Sequence, residues 1–327
     1  MQYLEFASID SAFNLALEEA IFEALVPDHP GYFLLWQNAP SVIIGRHQIT
    51  HEVVNSLLVE KYATPVIRRN SGGGAVYHDG GNLNFSFIQN IPSCFKPNLS
   101  HYMQKIALTL SQFGFVSTIN SRNDLEYRGR KFSGNSQMIR NGKLLHHGTL
   151  LVQSDIQRMG ELLRVDSIKS RSHGVQSVGA RVINLAQIAP IDLADLKEAL
   201  AQSCSQDKGV IPQDTLARAT QLAKTKYATW EWNYGKSPAC DRLWRKRLSC
   251  GELIIGLVMK GDVIKKCHIQ GDFINIRDVA ELEDFFTGCK FHPNAMRHVI
   301  KKIDWQYYLA NSEKSELTQF FCVDLFE

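Results

Sequence analysis

The chain has 327 residues, 44% hydrophobic and 21% charged, with 36 lysines and arginines against 33 acids. That is an ordinary globular composition, large enough for one big domain with a small companion, and a net charge of +3 is too mild to argue for nucleic acid. The 7 cysteines are scattered, odd in number and form no Cys-x-x-Cys, so they read as reduced thiols of a cytoplasmic protein, with no disulfide framework and no structural metal. Met1 to Leu25 has no basic start and carries Glu5, Asp10, Glu18, Glu19 and Glu23, unlike a signal or transit peptide. No apolar run approaches the ~20 residues of a membrane span.

Asp10 suits the N-cap of a helix from Ser11 to about Leu25, in which Phe13, Leu17, Ile21 and Leu25 form a buried stripe. Asn14 and Glu18 lie on another face and read as solvated. Strands are expected at Tyr32 to Gln37 and Ser41 to Gly45, with Trp36 in the core, and a helix over Glu52 to Lys61. A short strand, Pro65 to Ile67, leads into Arg68-Arg69 and the run Gly72-Gly73-Gly74. The chain leaves through a polar turn with His78 and Asp79 into a strand from Asn82 to Gln89.

A helix near Ser100 to Phe113 stops at Gly114. Phe115 to Ile119 and Asp124 to Tyr127 read as strands. Lys131 to Arg140 and Leu144 to Gln153 read as a hairpin across Asn141-Gly142, the strongest hairpin signal in the chain. Its register is open, so either His146 or His147 faces the site. Ser167 to Gly179 suits a mobile loop, and a helix follows over Asp192 to Ser203. Ser237-Pro238-Ala239 and the basic run Arg242 to Arg247 mark a domain boundary. A second hairpin, Glu252 to Lys260 with Val263 to Gln270, turns over Gly261-Asp262, and helices are expected near Val279 to Phe286 and Asn294 to Ile303.

The glycine run carries the chemistry. Without Cβ atoms its backbone can adopt positive φ and admit a ligand closely, successive N–H groups can cradle an anion, and two arginines supply permanent charge. The loop is neither a P-loop, since no Gly-Lys-Ser/Thr follows, nor a Rossmann fingerprint, since the Gly-x-Gly-x-x-Gly spacing is missing.

Arg68 to Asn82, Asn123-Asp124-Leu125, Lys131 to Gly134 and His146 to Leu151 together resemble the lipoate–protein ligase family, in the same order. Trp36-Gln37-Asn38, Ala180-Arg181-Val182 and Trp230 to Gly235 extend the resemblance past residue 235. It implies an α/β fold: a mixed-sheet biotin/lipoate protein ligase-like catalytic domain over 1–240, and a small α+β C-terminal accessory domain over 241–327. The implied reaction joins lipoate to ATP as lipoyl-AMP with release of pyrophosphate, aided by Mg2+. The lipoyl group then passes to a lysine of an apo lipoyl domain, on 2-oxoacid dehydrogenase E2 subunits or the glycine cleavage H protein. A monomer is expected, with no nucleic acid and no membrane.

By the resemblance, Arg69 and Gly74, Ala75, Val76 and Tyr77 contact the nucleotide. Lys131 contacts both nucleotide and lipoate and is catalytic. Arg68, Gly73, His78 and His147 are candidate lipoate contacts, and His147 is also a candidate base for the acceptor lysine. Asp124 is a magnesium ligand or a turn residue. Related acyltransferases carry a nucleophilic cysteine, but Cys94 and Cys204 lie outside the motifs and read as incidental. The basic residues Arg242, Arg245, Lys246, Arg247, Lys265, Lys266, Lys301 and Lys302 are solvated, or steer an acidic partner. The rival readings are a lipoyltransferase that uses preformed lipoyl-AMP, and a non-catalytic lipoate or nucleotide binder.

Overall fold

The computed structural model describes residues 1–92, 99–120, 124–164, 181–235 and 240–326. The candidates Asn123 and Cys94, the loop Ser167 to Gly179 and the linker residues Ser237-Pro238-Ala239 lie outside them. In the N-terminal part, strands β1 (Gln2–Leu4), β2 (Tyr32–Trp36), β6 (Asn82–Asn90), β10 (Asn135–Arg140), β11 (Lys143–Leu151) and β12 (Asp207–Lys208) form a mixed sheet in the order β10-β11-β6-β2-β1-β12. β1 runs parallel to β2 and β12, and the other pairs are antiparallel. The hairpin falls where expected, with Asn141 and Gly142 both at positive φ (53° and 70°), the twist that matches the flanking strands.

Strand alternation divides the sheet. Phe33, Leu35, Phe85, Phe87, Leu144 and His146 face one side, where helices Leu99–Ser111 and Leu193–Cys204 complete a core with Met103, Ile106, Leu196 and Leu200. Leu34, Trp36, Asn84, Ser86, Leu145 and His147 face the other side, toward helix α1 (Ser11–Ala24) and the glycine loop. Asp10 caps α1 through Ala12 and Phe13 as expected. The solvated face assigned to Asn14 and Glu18 is not there: they are 0% and 3% exposed. The helix is buried nearly all round, so its polar side chains meet protein rather than water.

Two smaller sheets flank the glycine loop: β4 (Val66–Arg68), β3 (Ser41–Ile44) and β5 (Val76–His78), and then β7 (Thr118–Ile119), β8 (Leu125–Tyr127) and β9 (Arg130–Ser133). Lys131 therefore sits on β9 and not on the long hairpin, because the chain breaks at Gly134 before β10 begins. The helix expected over Glu52 to Lys61 is two short ones, Thr50–Val53 and Ser56–Lys61. The basic run is a strand rather than a linker: β13 (Arg242–Leu248), β14 (Gly251–Lys260) and β15 (Val263–Gly271) make an antiparallel sheet with helices Val279–Phe286, Pro293–Ile300 and Lys314–Cys322 and a separate core.

His146 stacks on Tyr102 (4.8 Å between ring centres) among Phe85 and Phe87, and neither of its ring nitrogens has a partner. Burial, helped by the charges of His147 and His101, lowers this imidazole to about 3. Below its ordinary value of 6.5 the unfolded chain binds a proton that the folded one refuses, so stability falls as pH drops toward 3. His146→Phe is expected to recover about 1.4 kcal/mol of that loss per pH unit below 6.5. Urea unfolding of both proteins near neutral and near pH 5.5 checks this; an unchanged pH dependence contradicts it.

Candidate functional site

A cavity of about 940 Å³ lies where the sheet, the glycine loop, β9 and the C-terminal module meet. Of the predicted site residues, Arg69, Gly73, Gly74, Ala75, Val76, His78, Asp124, Lys131 and His147 all line it. Tyr77 and Arg68 do not: Tyr77 alternates away into the apolar cluster with Val42 and Val66, and Arg68 is fully buried behind the loop.

Lys131 Nζ lies 2.8 Å from Asp124 Oδ1, with side chains 35% and 14% exposed. So accessible a pair adds little to stability; its effect is to aim the ammonium. Gly134 makes room for it, since a Cβ there would lie 2.8 Å from Nζ. The bridge between Lys131 and Val182 and the bond from Ile183 N–H to Lys131 O hold the backbone.

In the glycine loop only Gly73 has positive φ (89°). Its N–H donates to Phe273 O of the C-terminal module (2.8 Å), and a Cβ on Gly72 would lie 2.5 Å from the same oxygen. Gly271 N–H bonds to His47 O, His47 stacks on Phe273, and Arg245 pairs with Glu52 at 2.6 Å, so the C-terminal module roofs the cavity. Gly74 is open.

Behind the loop, Arg69 donates to Ser71 Oγ, Ile43 O and Gly72 O. Burial draws its guanidinium down to about 10, against the pull of Glu18, so it stays charged at neutral pH. Ser71 Oγ is 2.6 Å from His147 Nε2, and His147 Nδ1 is 3.0 Å from both Glu18 oxygens. Glu18 also accepts from Ser86 Oγ, which accepts from Trp36 Nε1. Strand alternation thus puts His147 in the site and His146 in the core. Both ring nitrogens of His147 are engaged, one with Ser71 and the other with Glu18. Asp79 is a turn residue, accepting from Gly81 and Asp155 N–H. Cys204 is buried in the core, away from the cavity.

Sequence reasoning missed Glu18, Ser71 as a linking hydroxyl, and Asn84. The polar alternation Asn82, Asn84, Ser86 within an apolar strand was the available signal, since it marks a second polar face that here meets a cavity.

A family model described as the lipoyl protein ligase A/B catalytic domain matches residues 10–205, and one described as the bacterial lipoate protein ligase C-terminus matches residues 237–321. The chain belongs to the lipoate–protein ligase family. It is 34% identical to a lipoate-protein ligase of Bacillus subtilis and 32% identical to lipoate–protein ligase 1 of Staphylococcus aureus, in each case over 94% of this chain and 95% of the relative. A structure of the Plasmodium falciparum protein LipL1 with lipoate shares the fold at TM-score 0.81 and 23% identity, covering 100% of this chain and 99% of that one. A Thermoplasma acidophilum putative lipoate protein ligase with bound lipoic acid matches at TM-score 0.63 and 25% identity over 72% of this chain and 99% of that one. The mixed-sheet ligase fold with a C-terminal module is therefore that of the family.

Gly134→Ala is expected to displace the Lys131 ammonium while leaving the fold nearly intact, because the atom in the way is the end of a flexible side chain. Activity should fall by up to about 100-fold, the usual cost of misplacing a charge by an ångström, with little change in melting temperature. Full activity in a folded variant contradicts this placement.

Proposed function

We propose that the protein activates lipoate with ATP and transfers the lipoyl group to lysines of lipoyl domains. The observation that carries this reading is the Lys131–Asp124 pair, held over Gly134 in the same cavity as Arg69 and Gly74. A carboxylate oxygen of lipoate attacks the α-phosphorus of ATP, the bond to the β-phosphate oxygen breaks, and pyrophosphate leaves. Lys131 is the cation that stabilises charge spreading over the phosphoryl oxygens. Arg69 supports the loop from behind, and Gly73, Gly74, Ala75 and Val76 line the nucleotide side. Asp124, with Glu126 on the same wall, fits a magnesium ion that substrate phosphates help to hold, and magnesium would supply neutralisation of phosphate charge.

In the second step the acceptor amine attacks the acyl carbonyl, the bond to the phosphate oxygen breaks, and AMP departs. A free lysine must lose a proton first, at a cost of ~4.6 kcal/mol at pH 7. In our reading the reactive adenylate offsets this and His147 acts by holding the loop. The protein acceptors are lipoyl domains such as those of 2-oxoacid dehydrogenase E2 subunits and the glycine cleavage H protein. The enzyme is read as cytoplasmic and monomeric, with residues 1–240 catalytic and 241–327 accessory. Among the described residues, no helix is long and apolar enough to cross a membrane.

Mass spectrometry of an apo lipoyl domain incubated with enzyme, lipoate, ATP and magnesium tests the reading. Lipoylation is expected with wild type and not with Lys131→Ala. Modification only when preformed lipoyl-AMP is supplied would favour the transferase, and none in either case would favour a binder.

A further inference from the structure

The carbonyl of Gly72 is gripped from two sides. Arg69 Nη2 donates to it at 2.6 Å, and Ser136 Oγ, on β10, donates to it at 3.0 Å. Ser136 is 5% exposed, lines the cavity and pairs with His147 across β10 and β11. These two strand neighbours hold consecutive loop residues: His147 meets Ser71 Oγ at 2.6 Å, and Ser136 meets Gly72 O. Arg69 reaches the same two oxygens from behind, through Nε and Nη2. The carbonyl of Gly73 is turned inward as well. It lies so close to Gly45 that a Cβ there would be 1.9 Å from the oxygen.

A trans peptide unit is flat, with its N–H opposite its C=O. Holding the carbonyls of Gly72 and Gly73 inward therefore turns the N–H groups of Gly73 and Gly74 outward. Gly73 N–H meets Phe273 O of the roof at 2.8 Å, and Gly74 lines the cavity. The backbone alone does not impose this orientation. Glycine accepts both signs of φ, so a peptide between two glycines can turn over at little cost. Turned over, it presents the negative end of its dipole where successive N–H groups would suit an anion. Resting on the ATP-using reading, we propose that Ser136 is a positioning residue: its hydroxyl locks the Gly72–Gly73 peptide so that the loop shows amide hydrogens, not carbonyl oxygens, to the phosphates of the nucleotide. Arg69 spreads its donors over Ser71, Ile43 and Gly72, whereas Ser136 commits its single hydroxyl proton to this one carbonyl. The lock acts through charge, so the phosphates feel its loss and the uncharged nucleoside does not.

The test measures binding of ATP and of adenosine, which has no phosphate, by calorimetry on the full chain. Ser136→Ala is expected to weaken ATP about fivefold, one net hydrogen bond's worth, and to leave adenosine and the melting temperature unchanged. Ser136→Thr keeps the hydroxyl and should bind ATP within about twofold of wild type. Unchanged ATP affinity in Ser136→Ala overturns the proposal. Equal weakening of ATP and adenosine also overturns it, because that marks a general loosening of the cavity, and so does a Ser136→Thr variant as weak as Ser136→Ala. A wild type that binds ATP but shows no lipoate-dependent exchange of pyrophosphate overturns the ligase reading, and the comparison of ATP with adenosine still decides the role of Ser136. A wild type that binds no ATP overturns both.

Discussion

Arg68 is a cation buried without a carboxylate partner among the described residues. Its guanidinium donates to the carbonyls of Gly45, Arg46, Gln48, Trp232 and Asn233 and to Thr50 Oγ1. Its backbone N–H donates to Asn233 Oδ1 and its carbonyl accepts from Trp232 Nε1. Burial, with the nearby charge of Arg46, pulls the group down to about 10, which leaves it charged at neutral pH. No lysine offers a rigid planar fork for so many oxygens. The residue clamps the end of β4, the loop 45–50 and the segment 232–233 together, and the glycine loop leaves from that clamp. The adjacent arginines, alike in sequence, divide their labour: Arg68 holds the scaffold, and Arg69 braces the glycine loop at the edge of the cavity.

From there a second polar chain runs forward: Arg69 to Ser71, Ser71 to His147, His147 to Glu18, Glu18 to Ser86 and Trp36. Every link after the first crosses between elements, namely the glycine loop, β11, α1, β6 and β2. Buried polar groups are costly unless bonded, and here nearly every member is bonded.

Much of this was legible in the sequence where the signal is local. The Asn141-Gly142 turn, the Asp10 cap and the glycine run need only neighbouring residues to be understood. The collected motifs named the cavity-lining residues because a site's chemistry constrains residue types wherever the chain places them. What depended on three-dimensional neighbours was not legible. Glu18 read as solvated because its partner His147 is 129 residues away. Lys131 was drawn into the hairpin because nothing local reveals that Gly134 breaks the strand to clear its ammonium. Arg242 to Arg247 read as a linker by charge alone, although its alternate residues pack and pair within a strand. The carbonyl of Phe273 on the Gly73 N–H joins two modules and has no sequence signature.

In the proposed reaction Lys131, aimed by Asp124 and the bare Cα of Gly134, drives adenylate formation. The most direct test is lipoate-dependent exchange of labelled pyrophosphate into ATP, in the presence of magnesium, by wild type and Lys131→Ala. Exchange by the wild type that disappears in a folded Lys131→Ala variant is the expected result. Exchange that survives the loss of Lys131, or a folded wild type that shows none, would contradict this role for Lys131.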